Sequence, residues 1–305
     1  MTVKTRRTQV RIPNNGEDSV QAAEATAPTK AKPAKAAGAD NPKNRVQSAA
    51  KTFAVLRAFT AAQPELTLAE VAARAGIDRG TAFRLIHTLE ALGYLRAVPG
   101  TRRFRLTLQC LELGFSALAA NGLPDHAMPL LRELVPEVGD AASLAAIDSG
   151  DVVYLARVQA GLERHGLLRH PGTRVGAYAT AIGHAMLAFL PREQQVAQLQ
   201  QRERIKLSER TLTDLDTLLA RLAEVRKAGY AVSDGENAYG LRTVALPILD
   251  ADGRPASGIS LTADAGRCSL EALVREGLPR LRVVADELTR ALHLTSRTVL
   301  TQHGA

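Results

Sequence analysis

The chain has 305 residues, 46% of them hydrophobic, and a formal net charge of +8, which is length and apolar content enough for two domains with separate cores. Residues 1–44 carry eight Lys/Arg against four Asp/Glu, residues 45–108 ten against four, and residues 109–305 twenty-one against twenty-three. The excess of cations in the first third predicts one part that binds a polyanion and another that does not. Cys110 and Cys268 are far apart and have no neighbours at metal-ligand spacing, so neither a disulfide framework nor a zinc site is expected. No apolar run reaches the length of a membrane span and Met1–Arg11 lacks the apolar core of a signal peptide, so a cytoplasmic protein without membrane attachment, cofactor or metal is expected.

Residues 1–44 mix Ala, Pro, Lys, Thr and Asn and cannot bury enough apolar surface to offset the entropy of ordering; a disordered basic tail is expected. Val46, Ala49, Ala50, Phe53, Leu56 and Ala58 or Phe59 form an apolar stripe at helical spacing, predicting a supporting helix. Thr67 and Glu70 have the spacing of a capping box, and Leu68, Val71, Ala72 and Ala75 share one helical face after it. Gly76 supplies the stop, and Asp78 can cap a second helix over Arg79–Leu92, followed by Gly93. On that helix Ala82, Leu85, Ile86, Leu89 and Leu92 recur at core spacing, which turns Arg79, Gly80, Arg84, His87 and Thr88 outward, with Thr81 in the first turn. Tyr94–Val98 and Arg103–Leu106 then read as two strands joined through Pro99-Gly100-Thr101, a hairpin whose tip would carry Arg102, Arg103 and Arg105. A capped helix, a tight glycine turn, a basic outward face and an Arg-rich hairpin in this order predict a winged helix-turn-helix over 45–108. Its second helix would enter a DNA major groove, with the hairpin arginines on phosphates.

Residues 109–122 read as a linker helix apolar on several sides, and hence one that packs on a second subunit. Asn121-Gly122 would end it. A further helix is expected from Pro124 to about Val138. The period then changes: SLAAID and DVVYLARVQ are strand-like and meet at Ser149-Gly150, a hairpin signal. After a His- and Arg-rich loop, helices are expected over Thr180–Leu190, Arg192–Gln201 and Asp214–Ala228. Strands follow over Tyr230–Ser233, Arg242–Asp250 and Ala256–Thr262, with a turn at Asp252-Gly253, and a long helix over Ser269–Leu294. Hairpins with helices packed on them predict an α+β domain over 123–296, with a short tail over 297–305.

No nucleophile elbow, phosphate loop, dinucleotide fingerprint or HExxH motif occurs in residues 109–305, so no catalytic constellation is expected and a binding site fits better. Gly172–Gly183 combines glycines with small residues and runs into a helix start that Thr180 can cap, where backbone N–H groups could hold a carboxylate. Ser260 and Thr262 are two apart in a strand and would present both hydroxyls on one side. Arg174 or Arg242 could add a charge, or could be surface arginines; Tyr178 could wall the site or be a core aromatic.

VQSAAKTFAVLRAF (Val46–Phe59), TLAEVAARAGIDRGTAFRLIHTLEALGYL (Thr67–Leu95), RRFRLTLQCLELG (Arg102–Gly114), ATAIGHAMLAFLP (Ala179–Pro191) and YGLRTVALPILDADGRPASGISLT (Tyr239–Thr262) together resemble the IclR-type family of bacterial transcription regulators, from about Arg45 to Leu294. Gly80 stands where that family usually has Ser, and His184 where it often has Lys or Arg. The resemblance implies a GAF-like antiparallel-sheet effector-binding domain and a cavity lined by Val175, Ala181, Ile182, Ser233, Asp234, Leu241, Thr243, Ser260 and Thr262. It also implies regulation of double-stranded operator DNA by a small organic acid. The stretch RRFRLTLQCLELGF resembles the subgroup that governs aromatic catabolism. Two half-sites roughly 34 Å apart need two recognition helices, hence a homodimer or homotetramer. The residues alone leave open a constitutive DNA-binding protein whose C-terminal domain only oligomerises.

Overall fold

The structure is a computed structural model that describes residues 46–119, 123–162 and 169–302. The tail expected over 1–44, the Asn121-Gly122 stop and the middle of the His/Arg-rich loop lie outside these residues.

The N-terminal unit contains α1 (Gln47–Ala58), β1 (Glu65–Thr67), α2 (Leu68–Ala75), α3 (Arg79–Ala91), β2 (Leu95–Ala97) and β3 (Arg103–Leu106). Local signals set its joints. Thr67 and Glu70 close a reciprocal capping box on α2, which ends at Gly76 in the left-handed region at φ 63°. Asp78 caps α3 by accepting from the Thr81 N–H at 2.8 Å. Val55, Leu66, Val71, Ile86, Leu89 and Leu95 form the core. Strand β1 was not expected; it pairs antiparallel with β3, so the hairpin becomes a three-stranded sheet ordered β1-β3-β2. The stripe expected to bury α1 divides: Val55, Ala58 and Phe59 are inside, whereas Val46 and Phe53 are 67% and 53% exposed. Leu108, just before α4 (Cys110–Ala119), and Leu111 and Leu113 within it are exposed as well.

The C-terminal unit is a six-stranded antiparallel sheet with helices on both faces. Its elements are α5 (Leu123–Glu133), β4 (Ala141–Asp148), β5 (Asp151–Gln159), β6 (Arg174–Gly176), α6 (Ala181–Leu187), α7 (Arg192–Gln200), α8 (Leu215–Ala228), β7 (Ala231–Asp234), β8 (Leu241–Leu249), β9 (Pro255–Asp264), α9 (Leu270–Ala272) and α10 (Leu278–Gln302). The sheet order is β6-β5-β4-β9-β8-β7. The β4–β5 hairpin turns on Ser149 and Gly150, both at positive φ (53° and 79°), the conformation that matches strand twist in a two-residue loop. Helices α5 and α10 cover one face around Leu131, Leu144, Ile259, Leu261, Leu281 and Leu288. Helices α6 and α8 cover the other around Met186, Leu187, Leu218 and Leu222.

Two expected helices differ in extent. The helix after Pro124 stops at Glu133. The closing helix is interrupted by a π turn at Leu273–Gly277 and runs on to Gln302, so part of the tail expected over 297–305 continues α10. The three-residue strand β6 was hidden in the loop after β5, being too short to show a period. Helix α6 can lie close on the sheet because Gly258 of β9 has no side chain: a Cβ there would sit 2.9 Å from both Ile182 Cγ1 and Met186 Cγ.

Candidate functional site

Burial of Ala82, Ile86 and Leu89 fixes the roll of α3 and leaves Arg79, Gly80, Phe83, Arg84, His87 and Thr88 exposed. Thr81, half-buried, donates its N–H to the Asp78 cap. Of the three hairpin arginines only Arg102 is at the tip. Arg103 and Arg105 lie in the body of β3, and Arg103 Nη1 donates to Glu65 O at 3.0 Å and Glu70 Oε2 at 3.2 Å. The carboxylate that closes the α2 cap therefore also ties the wing to the helix pair. Arg105 is half-buried between Glu65 of β1 and Arg96 of β2.

The second site lies on the α6 face of the sheet. Residues directly opposite in an antiparallel ladder share a face, and the register places Ala141, Thr262, Thr243 and Ser233 in one row and Arg157, Ser143 and Ser260 in the next. These polar rows interrupt an otherwise apolar face. They make the floor of a cavity roofed by Thr180, Ala181 and Ile182 at the start of α6 and by Asn237 and Ala238 of the β7–β8 loop. Thr243 and Thr262 hydroxyls meet at 3.0 Å. Thr180 caps α6, accepting from the Gly183 N–H at 3.0 Å, so that donor is already used.

Two guanidinium groups converge on the cavity from its β5 side. Arg157 donates to Ser143 Oγ at 2.7 Å and Gln159 Oε1 at 2.9 Å, and Arg169 donates to Tyr154 Oη at 2.6 Å. Their Cζ atoms lie 5.7 and 5.4 Å from the Tyr154 ring centroid. With its amide oxygen turned inward, Asn237 accepts from Arg169 Nη1 at 3.1 Å. All these partners are neutral, and among the described residues neither arginine pairs with a carboxylate. Burial depresses the Arg157 pKa below the usual arginine range, and the nearby Arg169 cation adds to this. The charged form is thus held at a cost that an anion in the cavity would relieve.

Ala181, Ile182, Ser233, Leu241, Thr243, Ser260 and Thr262 all line this cavity. Three of the expected lining residues point elsewhere. Val175 pairs with Val152 in β6 and packs in the α6 core. Tyr178 uses its hydroxyl on Ile205, donating to O at 2.9 Å and accepting from N at 3.1 Å. Asp234 is bound by Arg242 Nε at 3.0 Å and by Arg210. The same network consumes Arg242, which also donates to the carbonyls of Ala265 and Cys268. Arg174 is committed to Asp148 and Asp151. Tyr154, Arg157, Arg169, Asn237 and Ala238 were missed; the one signal was a single arginine inside the apolar run VVYLARV.

Behind the cavity a polar cluster holds the β7–β8 loop. Buried Glu236 meets Arg221 Nη1 at 3.3 Å, and its backbone carbonyl accepts from Thr211 and Ser208. Its Oε2 has no hydrogen-bond partner and lies 4.0 Å from Nδ1 of His184, equally unpartnered. His184 is fully buried with Nε2 donating to Tyr178 O at 2.6 Å, which places its proton there. Burial lowers the His184 pKa to about 4, so the ring is neutral near pH 7.

An exposed basic helix on a winged helix-turn-helix, joined to an α+β domain with a cationic internal cavity, defines a ligand-responsive DNA-binding regulator. Two family profiles agree: the IclR helix-turn-helix domain matches residues 48–99, and the bacterial transcriptional regulator IclR C-terminal domain matches residues 115–290. The chain belongs to the IclR family of bacterial transcription regulators. It is 32% identical over 280 residues to the Pca regulon regulatory protein of Pseudomonas putida, covering 87% of this chain and 95% of that one. It is 33% identical over 243 residues to the p-hydroxybenzoate hydroxylase transcriptional activator of Acinetobacter baylyi, covering 78% and 89%. Among solved structures, a double mutant of the PobR inducer-binding domain from Acinetobacter in complex with 3-hydroxybenzoic acid is 29% identical, covers 55% of this chain and 97% of that one, and superposes with a TM-score of 0.50. No described helix is long and apolar enough to cross a membrane.

Proposed function

We propose that this regulator senses a small aromatic or other organic acid in the β-sheet cavity and transmits its presence to operator DNA bound by α3 and the wing. The single observation that carries the effector class is the pair Arg157 and Arg169, two cations turned on a cavity without a carboxylate partner among the described residues. A carboxylate seated between them would gain charge-assisted hydrogen bonds in a poorly solvated place. The hydroxyls of Ser260, Thr262, Thr243 and Ser233 would take a polar ring substituent, with Ala181, Ile182 and Leu241 against the ring. The inducer-binding domain seen with 3-hydroxybenzoic acid supports this class.

In this reading Arg79, Gly80, Thr81, Arg84 and His87 face the groove, and Arg102 and Arg105 lie on the wing beside phosphates. Arg103 serves mainly to hold the wing. The DNA-binding domain spans 45–108 and the effector domain 123–296. The protein works in the cytoplasm as a homodimer or homotetramer, through the apolar surface that Val46, Phe53, Leu108, Leu111 and Leu113 leave exposed. A thermal-shift panel of hydroxybenzoic acids, aliphatic carboxylates and the matching uncharged amides tests the effector class. Stabilisation by an acid and not by its amide is expected, and equal stabilisation by both would exclude the two-arginine anchor.

A further inference from the structure

The outward face of α3 carries an aromatic ring that its charges do not account for. Phe83 is 53% exposed, and its ring meets that of His87 edge to face, with centroids 4.3 Å apart and planes at 69°. Positions 80, 83, 84 and 87 are neighbours on a helix surface. Gly80 beside Phe83 contributes no side chain, and the half-exposed phenyl meets the imidazole on its other side. His87 Nδ1 in turn lies 3.4 Å from Glu90 Oε2, on the far side of the pair.

A second copy of this surface is a poor cover for the ring. A two-fold contact would bring the patch that carries Arg79 and Arg84 against its own copy, and Glu90 is the only acid in α3 to offset it. A DNA major groove matches both properties at once. Its walls are anionic, and the C5 methyl of thymine is the apolar group displayed on its floor. We propose that Phe83 is a base-reading residue that packs on a thymine methyl, with His87 holding the ring in place. The proposal rests on α3 being the groove-entering helix.

The test uses a duplex selected from a random pool by the full-length protein, with affinity read by fluorescence anisotropy. Each thymine is replaced in turn by deoxyuridine, which removes only the methyl group. At one position per half-site the wild-type protein should lose about fourfold in affinity, the worth of about 0.8 kcal/mol for one buried methyl. Phe83→Ala should bind the thymine and deoxyuridine duplexes equally, whereas Arg84→Ala should bind both more weakly and keep the difference. The ring is exposed, so its removal leaves the core of the helix pair intact. No sensitive position, or an undiminished methyl effect in Phe83→Ala, overturns the proposal while a loss in Arg84→Ala keeps α3 in the groove. If neither Phe83→Ala nor Arg84→Ala nor Arg79→Ala alters binding, the helix assignment itself falls and this proposal with it.

Discussion

Replacing Arg157 with Met separates the cost of the two-arginine anchor in the empty protein from its gain in the bound one. The substitution keeps most of the side-chain volume and removes one cation. In the free protein it leaves Ser143 Oγ, fully buried, without its 2.7 Å donor, at a cost of about 1–3 kcal/mol. It also removes a desolvated charge that has only neutral partners and the repulsion between Arg157 and Arg169, which acts in the opposite direction. The melting temperature of the free variant should therefore stay within a few degrees of wild type. In the bound protein the variant leaves the acid with one guanidinium instead of two, a loss of about 2–5 kcal/mol, or about thirtyfold and upward in Kd. At an acid concentration of about 100 Kd the wild-type protein gains about 2.7 kcal/mol, or roughly 5–10 °C for a domain of this size. The variant at the same concentration should gain less than about 3 °C. Calorimetric titration checks the Kd directly. A variant that binds the acid as tightly as wild type would refute the anchor, whatever its own stability.

Particular contacts set four further outcomes. Arg102→Ala should lower the salt slope of DNA binding by about one with little change in stability; Arg103→Ala, which cuts the ties to Glu65 O and Glu70, should lower the melting temperature of the N-terminal unit. Between pH 6.5 and about 4 the unfolded chain protonates His184 and the folded chain does not, so stability should fall as pH falls through that window, by about 3 kcal/mol in all. Glu236, whose pKa burial raises despite Arg221, works against this by taking up its proton more readily when folded. Urea titrations of wild type and His184→Leu across the window should show the flatter pH profile in the variant. Gly183→Val should abolish effector binding and lower stability, because a Cβ there would lie 2.2 Å from the Ala177 carbonyl oxygen; an unchanged thermal shift with the acid would contradict this.

What the sequence showed most clearly was local. The Thr67–Glu70 box, the Asp78 cap and the Ser149-Gly150 turn are each set by residues within a few positions of one another, and each forms as its spacing implies. Ser260 and Thr262 could be placed on one side of a strand because the period of two admits nothing else, and the ladder adds Thr243 and Ser233 to the row of Thr262. The arginine pair at the cavity was illegible for the opposite reason. Arg157 reaches the cavity only through the register of β5 on Ser143 of β4, and Arg169 comes from a loop whose path no periodicity records. Arg174 and Arg242 were equally eligible as charges, and only the fold shows that Asp151 and Asp234 already hold them. The α1 stripe was misjudged because an apolar residue counts toward a core whether its own chain covers it or not, and Val46 and Phe53 are left uncovered.

The proposed coupling is one free energy shared by an acid in the cavity and DNA on α3. It is tested most directly by the affinity of wild-type protein and Arg169→Gln for a selected duplex, with and without the carboxylate that most raises the wild-type melting temperature. The acid should change the wild-type Kd for DNA about 5- to 150-fold, the usual range of such coupling, and leave that of Arg169→Gln nearly unchanged at the same concentration. An acid that saturates the wild-type protein by thermal shift yet leaves its DNA affinity untouched would contradict the account and favour a DNA-binding protein whose C-terminal domain only assembles it.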